Sequence, residues 1–174
     1  HNLGEIINAE KLLMEFPNAT TADLLDIIEG PDFPTGGIVT NKDELLSIYE
    51  TGRGKIRIRG KAEIVRGKRK SDRDKIVITE IPYTMVGANI GKFLSDVAAL
   101  AESRKLPDIV DISNQSSKEG IRIEIELKKG ADAERILAGL YKKTKLEDTF
   151  GVNMLAIVDG RPEVLGLKEV LTHH

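Results

Sequence analysis

The sequence predicts an α+β fold, on three observations. From residue 75 to residue 158 the spacing of apolar side chains reads strand, helix, strand, strand, helix, strand, the split βαβ, ferredoxin-like order (βαββαβ). Just upstream, the period drops from 3.6 to 2 over a run dense in cations, which predicts an added basic β-hairpin. Amphipathic patterns at both ends predict flanking N- and C-terminal helices. The expected organisation is a single domain over 1–174. Within it, N-terminal helices and a Pro/Gly loop cover 1–52, the basic hairpin 53–81, the split βαβ core 75–158, and a closing turn and helix start 159–174.

Asn2 is suited to cap a first helix, with Glu5 three residues on, and Leu3, Ile6, Ile7, Leu12, Leu13 and Phe16 follow its period until Pro17 ends it. Thr21 opens a short second helix through Leu24, Leu25 and Ile28. The string GPDFPTGG must be extended before each proline and reads as a loop. GIVT is a short strand, and NKDELLSIYETG a helix with Asn41 as its cap and Gly52 beyond its end.

From Lys55 onward Ile56, Ile58, Gly60, Ala62 and Ile64 share one face, and Arg53, Lys55, Arg57, Arg59 and Lys61 share the other. A charged turn, GKRKSDRD, leads to KIVITEIP and predicts antiparallel pairing of the two runs. TMVGANIGKFLSDVAALAESRK is the longest amphipathic helix, with Met85, Ile90, Phe93, Leu94, Val97 and Leu100 on its core side. DIVDISN and IRIEIEL are strands about the turn QSSKEG, ADAERILAGLYKKT is a helix, and TFGVNMLAIV is a strand that turns at Asp159-Gly160. VLGLKEVL begins the last helix.

A chain of 174 residues, 40% hydrophobic and 31% charged, is long enough to bury a core and is neither fibrous nor disordered in composition. It has no cysteine, so disulfides, thiolate metal sites and cysteine nucleophiles are excluded. No apolar run approaches the roughly 20 residues that span a bilayer, and a cytoplasmic location without membrane partners is expected. The chain opens on His1 rather than Met and reads as a piece of something longer; the closing His-His is assigned no role. Its net charge of −2 hides an asymmetry: residues 53–75 hold eleven Lys or Arg against Glu63, Asp72 and Asp74, a net +8, so the remainder carries −10. Such a split suits a polyanion-facing surface on an acidic body, or simply a solvated hairpin tip.

Catalytic patterns are absent. The three histidines lie at the ends, and HExxH, GxxxxGK[ST] and GxSxG do not occur. Tyr49 and Tyr141 read as packed helix residues, and Tyr83 as a packing or hydrogen-bonding residue at a strand-to-helix junction. No catalytic residue and no metal ligand is therefore assigned. What remains is a binding surface. Alternate strand residues lie about 6.6 Å apart on one face, and a nucleic-acid strand places a phosphate about every 3.4 Å, so the basic strand could meet about every second phosphate. The competing reading is an edge strand guarded by Lys and Arg against aggregation. Two further alternatives share the fold: an RNA-binding module and a small-molecule regulatory module. The first wants aromatics where IRIEIEL has Arg122, Glu124 and Glu126.

The strings HNLGEIINA, GPDFPTGG, YETGRGKIRIRGKAEI, ITEIPY and LYKKTKLEDTFGVNMLAIVDGRPEVLGLKEVL, in that order over nearly the whole chain, closely resemble the A subunit of bacterial type IIA DNA topoisomerases, gyrase or topoisomerase IV. The resemblance implies the tower, or shoulder, domain of the breakage-reunion core of an ATP-dependent isomerase. In the family the nucleophilic tyrosine, its neighbouring arginine and the DNA-wedging isoleucine belong to an upstream winged-helix domain, so this chain alone is expected to be inactive. The resemblance assigns Mg2+ and ATP to the partner B subunit. It also implies an A2B2 assembly with an A-subunit homodimer, acting on double-stranded DNA. The tower's own role would be non-specific support of the bent gate segment. Arg53, Lys55, Arg57, Arg59 and Lys61 are the DNA-contact candidates, followed by Lys68, Arg69 and Lys70. Where family members often have Asn-Lys after the EIPY string, this chain has Gly87-Ala88-Asn89.

Overall fold

The computed structural model describes residues 1–28, 30, 33, 35–85, 89–158 and 160–173, with backbone alone at 155–158. The Pro31, Asp32 and Pro34 positions of the loop, the Gly87-Ala88 pair, Asp159 of the expected turn and His174 lie outside the described residues. The fold is α+β, and the described residues fall into two compact units.

The first unit comprises 1–33, 39–57 and 149–174. Helix α1 (Leu3–Glu15) starts where Asn2 Oδ1 accepts the Glu5 amide at 3.2 Å. Helix α2 (Thr21–Leu25) has a reciprocal cap: the Asp23 amide donates to Thr20 Oγ1 and the Thr20 amide to Asp23 Oδ2. The Thr20 amide, foremost, holds the Asp23 carboxyl below the usual carboxylate range. A 3-10 turn (Lys42–Glu44) leads into helix α3 (Leu45–Thr51), which ends at Gly52. Gly52 has φ +75°, and a Cβ there would meet the Leu165 carbonyl oxygen at 2.1 Å, so only glycine fits. Helix α6 (Leu167–His173) closes the chain.

Strands β1 (Ile38–Val39), β2 (Arg53–Arg59) and β7 (Glu147–Asn153) form a sheet in the order β1-β2-β7. The expected strand TFGVNMLAIV breaks at Met154 into β7 and β8 (Leu155–Val158). The latter pairs antiparallel with β9 (Arg161–Val164), and Gly160 with φ +76° lies in the connection.

The second unit comprises 34–38 and 58–148. Strands β3 (Lys61–Val65), β4 (Lys75–Glu80), β5 (Ile109–Asn114) and β6 (Ile123–Leu127) form an antiparallel sheet in the order β3-β4-β6-β5. Helices α4 (Asn89–Glu102) and α5 (Ala133–Lys143) supply Phe93, Val97, Ile136 and Leu140 to one core with Ile76, Ile78, Ile123, Ile125 and Leu127 of the sheet. The alternation of IEIEL puts its three apolar residues in that core and both glutamates on the other face.

Two details depart from the sequence reading. The basic run is not one strand of one hairpin: the hairpin is β3 with β4, whereas β2 pairs with β1 and β7. The break falls at Gly60, whose amide donates to the Leu146 carbonyl at 2.8 Å. A Cβ at Gly60 would lie 2.7 Å from both the Glu80 carbonyl oxygen and Leu146 Cδ1, so the close approach requires glycine. Consequently β3, rather than β7, occupies the edge beside β4 in the split βαβ sheet. A hairpin whose nine-residue turn spans 66–74 fills that edge locally.

Candidate nucleic-acid interface

Along β2 the burial alternates as the sequence requires. Arg53, Lys55 and Arg57 are exposed, while Ile56 and Ile58 are buried. The strand's backbone is held by a residue expected to be a helix cap. Asn41 makes no capping bond; its side chain is buried, and Nδ2 donates to the Lys55 carbonyl (2.8 Å) and to Glu44 Oε2 (2.9 Å). Its Oδ1 accepts the Arg57 amide at 2.8 Å, and the Thr40 amide donates to the Arg57 carbonyl at 2.9 Å. An amide side chain thus imitates a neighbouring strand and fixes the residues that project Lys55 and Arg57 outward. Nothing in the local sequence separates that use of Asn41 from capping, because the partner strand is more than a dozen residues away.

In the second unit, Arg59 is only partly exposed. Its Nε and Nη2 donate to Glu147 Oε2 at 2.9 and 2.8 Å, and its Cζ lies 4.4 Å from the centre of the Tyr141 ring. Lys61 is exposed on β3, and Lys68, Arg69 and Lys70 are exposed at the hairpin tip. The tip is stapled by two aspartates: the Gly67 amide donates to Asp74 Oδ1 (2.9 Å) and the Arg69 amide to Asp72 Oδ2 (3.1 Å). Arg66 bridges Asp74 and Glu134 at 3.0 and 2.6 Å. The Gly67 amide, then Arg66, hold the Asp74 carboxyl below its ordinary value, and the two carboxylates raise Arg66.

Within residues 53–75, Arg59, Arg66, Arg73 and Lys75 each meet a carboxylate, as does Arg122 outside that run. Among the described residues, Arg53, Lys55, Lys61, Lys68, Arg69 and Lys70 form no salt bridge. On the open face of the second-unit sheet, Glu124 takes both Lys75 (3.3 Å) and Arg122 (3.0 Å), and Glu126 takes Arg73 (3.5 Å). Arg122 first, then Lys75, keep Glu124 below the usual range. That face presents an ion-pair ladder where a base-stacking sheet would present aromatics.

Tyr49 is buried against the His1 ring, and Tyr141 donates its hydroxyl to the Gly60 carbonyl at 2.7 Å. Burial pushes the Tyr141 hydroxyl pKa up, against an opposing pull from Arg59. Tyr83 is exposed in a 3-10 turn (Tyr83–Met85). Among the described residues no three His, Asp or Glu group to hold a metal ion, and no helix is long and apolar enough to cross a membrane.

Over all of residues 1–174 the sequence matches the family model for the A subunit of DNA gyrase/topoisomerase IV. It is 47% identical to the DNA gyrase A subunit of Clostridium acetobutylicum over 174 residues, 100% of this chain and 20% of that protein. It is 43% identical over 171 residues to the probable chloroplastic/mitochondrial DNA gyrase A subunit of Oryza sativa subsp. japonica, covering 98% of this chain and 18% of that protein. Against the DNA gyrase A subunit of Staphylococcus aureus (strain MRSA252), identity is 42% over 175 residues, 100% of this chain and 19% of that protein. The chain thus spans about one fifth of the length of these relatives. With a match that runs from the first residue to the last, this chain belongs to the family of DNA gyrase/topoisomerase IV A subunits.

Proposed function

We propose that residues 1–174 act as the tower of a type II topoisomerase A subunit, binding the backbone of double-stranded DNA without reading its sequence and helping to bend the gate segment. The observation that carries this reading is a set of exposed cations that form no salt bridge among the described residues: Arg53 and Lys55 on β2, Lys61 on β3, and Lys68, Arg69 and Lys70 at the tip. Neutralising phosphates releases counterions and makes binding salt-dependent. Contacts of this kind also offset a bending cost of order 1–6 kcal/mol for a sharply bent site.

Strand passage itself belongs to the assembled enzyme. Double-strand cleavage needs a nucleophilic tyrosine from elsewhere in the A subunit, while Mg2+ and ATP enter through the B subunit of a cytoplasmic A2B2 assembly. Tyr49 and Tyr141 are committed to packing and hydrogen bonds, which fits a supporting part rather than a cleaving one.

The test is fluorescence anisotropy of a labelled duplex over a salt series. Arg53→Glu with Lys55→Glu is expected to weaken binding at least tenfold and to reduce the slope of log K against log salt by roughly 0.9 per lost phosphate contact. An unchanged slope would reduce the basic strand to a solvated edge. A covalent adduct between this chain and cleaved DNA would overturn the non-catalytic assignment.

A further inference from the structure

Arg59 differs from the other candidate cations in being held before any ligand arrives. A guanidinium has five N–H donors in one plane. Glu147 Oε2 takes the edge formed by Nε and Nη2, and the Tyr141 ring covers one face at 4.4 Å. The ring is itself anchored, because its hydroxyl donates to the Gly60 carbonyl at 2.7 Å and the Gly60 amide donates to the Leu146 carbonyl at 2.8 Å. All five residues belong to the second unit. The Arg59 side chain nevertheless remains 43% exposed, and no acceptor among the described residues meets Nη1. One fork of parallel N–H donors, Nη1 with the second hydrogen of Nη2, is therefore left over. Such a fork matches two oxygens of a phosphate.

We propose that this outer fork of Arg59 is a preorganised site for one phosphodiester group of DNA, with Tyr141 and Glu147 as its positioning residues. The proposal rests on the DNA-binding reading above and selects, within it, the cation that contributes most per contact. A flexible Lys or Arg must be ordered on binding, at a cost of about two- to twelvefold in affinity. Arg59 has met that cost in the free protein. Glu147 fixes the guanidinium plane from the adjacent edge, which shares Nη2 with the outer fork, and the aromatic ring prevents rotation out of that plane.

The experiment is the anisotropy salt series on the full 174-residue chain, with each variant's fold checked by circular dichroism. Arg59→Gln is expected to weaken binding several-fold and lower the slope by about 0.9. Arg59→Lys keeps the charge but loses the fork, so the slope holds while affinity falls. Tyr141→Leu is expected to weaken binding about two- to twelvefold at constant slope, Tyr141→Phe, which keeps the ring but loses its hydroxyl anchor, to weaken it less than Tyr141→Leu does, and the Arg59→Gln/Tyr141→Leu pair to bind no more weakly than Arg59→Gln alone. If Arg59→Gln changes neither affinity nor slope while Arg53→Gln/Lys55→Gln lowers both, Arg59 is a brace only and the proposal fails with DNA binding intact. Additive losses from Arg59 and Tyr141 would likewise overturn the positioning role. A wild-type chain that binds no DNA would overturn both readings.

Discussion

Asn41→Ala removes a side chain that sits 8% exposed and makes three hydrogen bonds, two of them to the backbone of β2. Each bond contributes about 1 kcal/mol net, and each buried partner left unsatisfied costs about 1–3 kcal/mol. The Glu44 carboxylate can turn to water, so its loss weighs little. The Arg57 amide and Lys55 carbonyl are fixed in the strand and cannot turn. Their combined loss gives an expected destabilisation of about 2–4 kcal/mol, equivalent to roughly 4–16 °C in Tm for a chain of this size. Urea denaturation gives the first number, and hydrogen exchange at the Arg57 amide locates it. A 2 kcal/mol local loss corresponds to roughly 30-fold faster exchange there if opening is local. Asn41→Asp keeps an acceptor for Arg57 but loses the donor and places a second carboxylate beside Glu44, so it should be at least as harmful. A loss below about 1 kcal/mol with unchanged Arg57 protection would refute the strand-mimic role of Asn41.

Gly60→Ala should destabilise by about 1–3 kcal/mol through overpacking, since its Cβ would press on the Glu80 carbonyl and Leu146; thermal denaturation indistinguishable from wild type would contradict the close approach. Asp74 has a folded pKa below its unfolded value, so its contribution is present above the ordinary carboxylate range and is lost as pH falls through the folded value. Protection of the Gly67 amide is therefore expected to decline in acid, and in Asp74→Asn to lose that pH dependence. At neutral pH, Asp74→Ala should speed trypsin cleavage at Lys68, Arg69 and Lys70 severalfold, with unchanged digestion counting against the staple. Tyr141 has the opposite sign: its raised hydroxyl pKa adds stability that is full below the unfolded value and fades as pH rises through the folded one. In Arg59→Gln the Tyr141 pKa should rise further as the opposing charge is removed, a shift readable by NMR of labelled tyrosine.

Much of the architecture was legible from side-chain period. The alternation of Ile56 and Ile58 against Arg53, Lys55 and Arg57 returns as buried and exposed faces of β2. The segments IEIEL and AERILAGLYKK appear as the core strand β6 and helix α5. These readings hold because strand and helix periods express which side chains can leave water together, a property of local sequence. The candidate cations were legible for the same reason. Their division into paired and unpaired classes was not: Glu147 lies 88 positions from Arg59, Glu134 lies 68 from Arg66, and Glu126 lies 53 from Arg73.

By itself, the sequence determined the α+β class, the family, the outward set of positive charges and the lack of catalytic motifs. Only the tertiary structure decided that the basic run serves two sheets, and that β3 rather than β7 lies beside β4. It also decided that Asn41 secures a strand instead of a helix, and that Arg59 is gripped by Glu147 and Tyr141. The physical reason is common to all four. Periodicity records which face is buried, but pairing partners and charge partners depend on long-range approach. Here that approach turns on a glycine with no room for a Cβ and on side chains far apart in the chain.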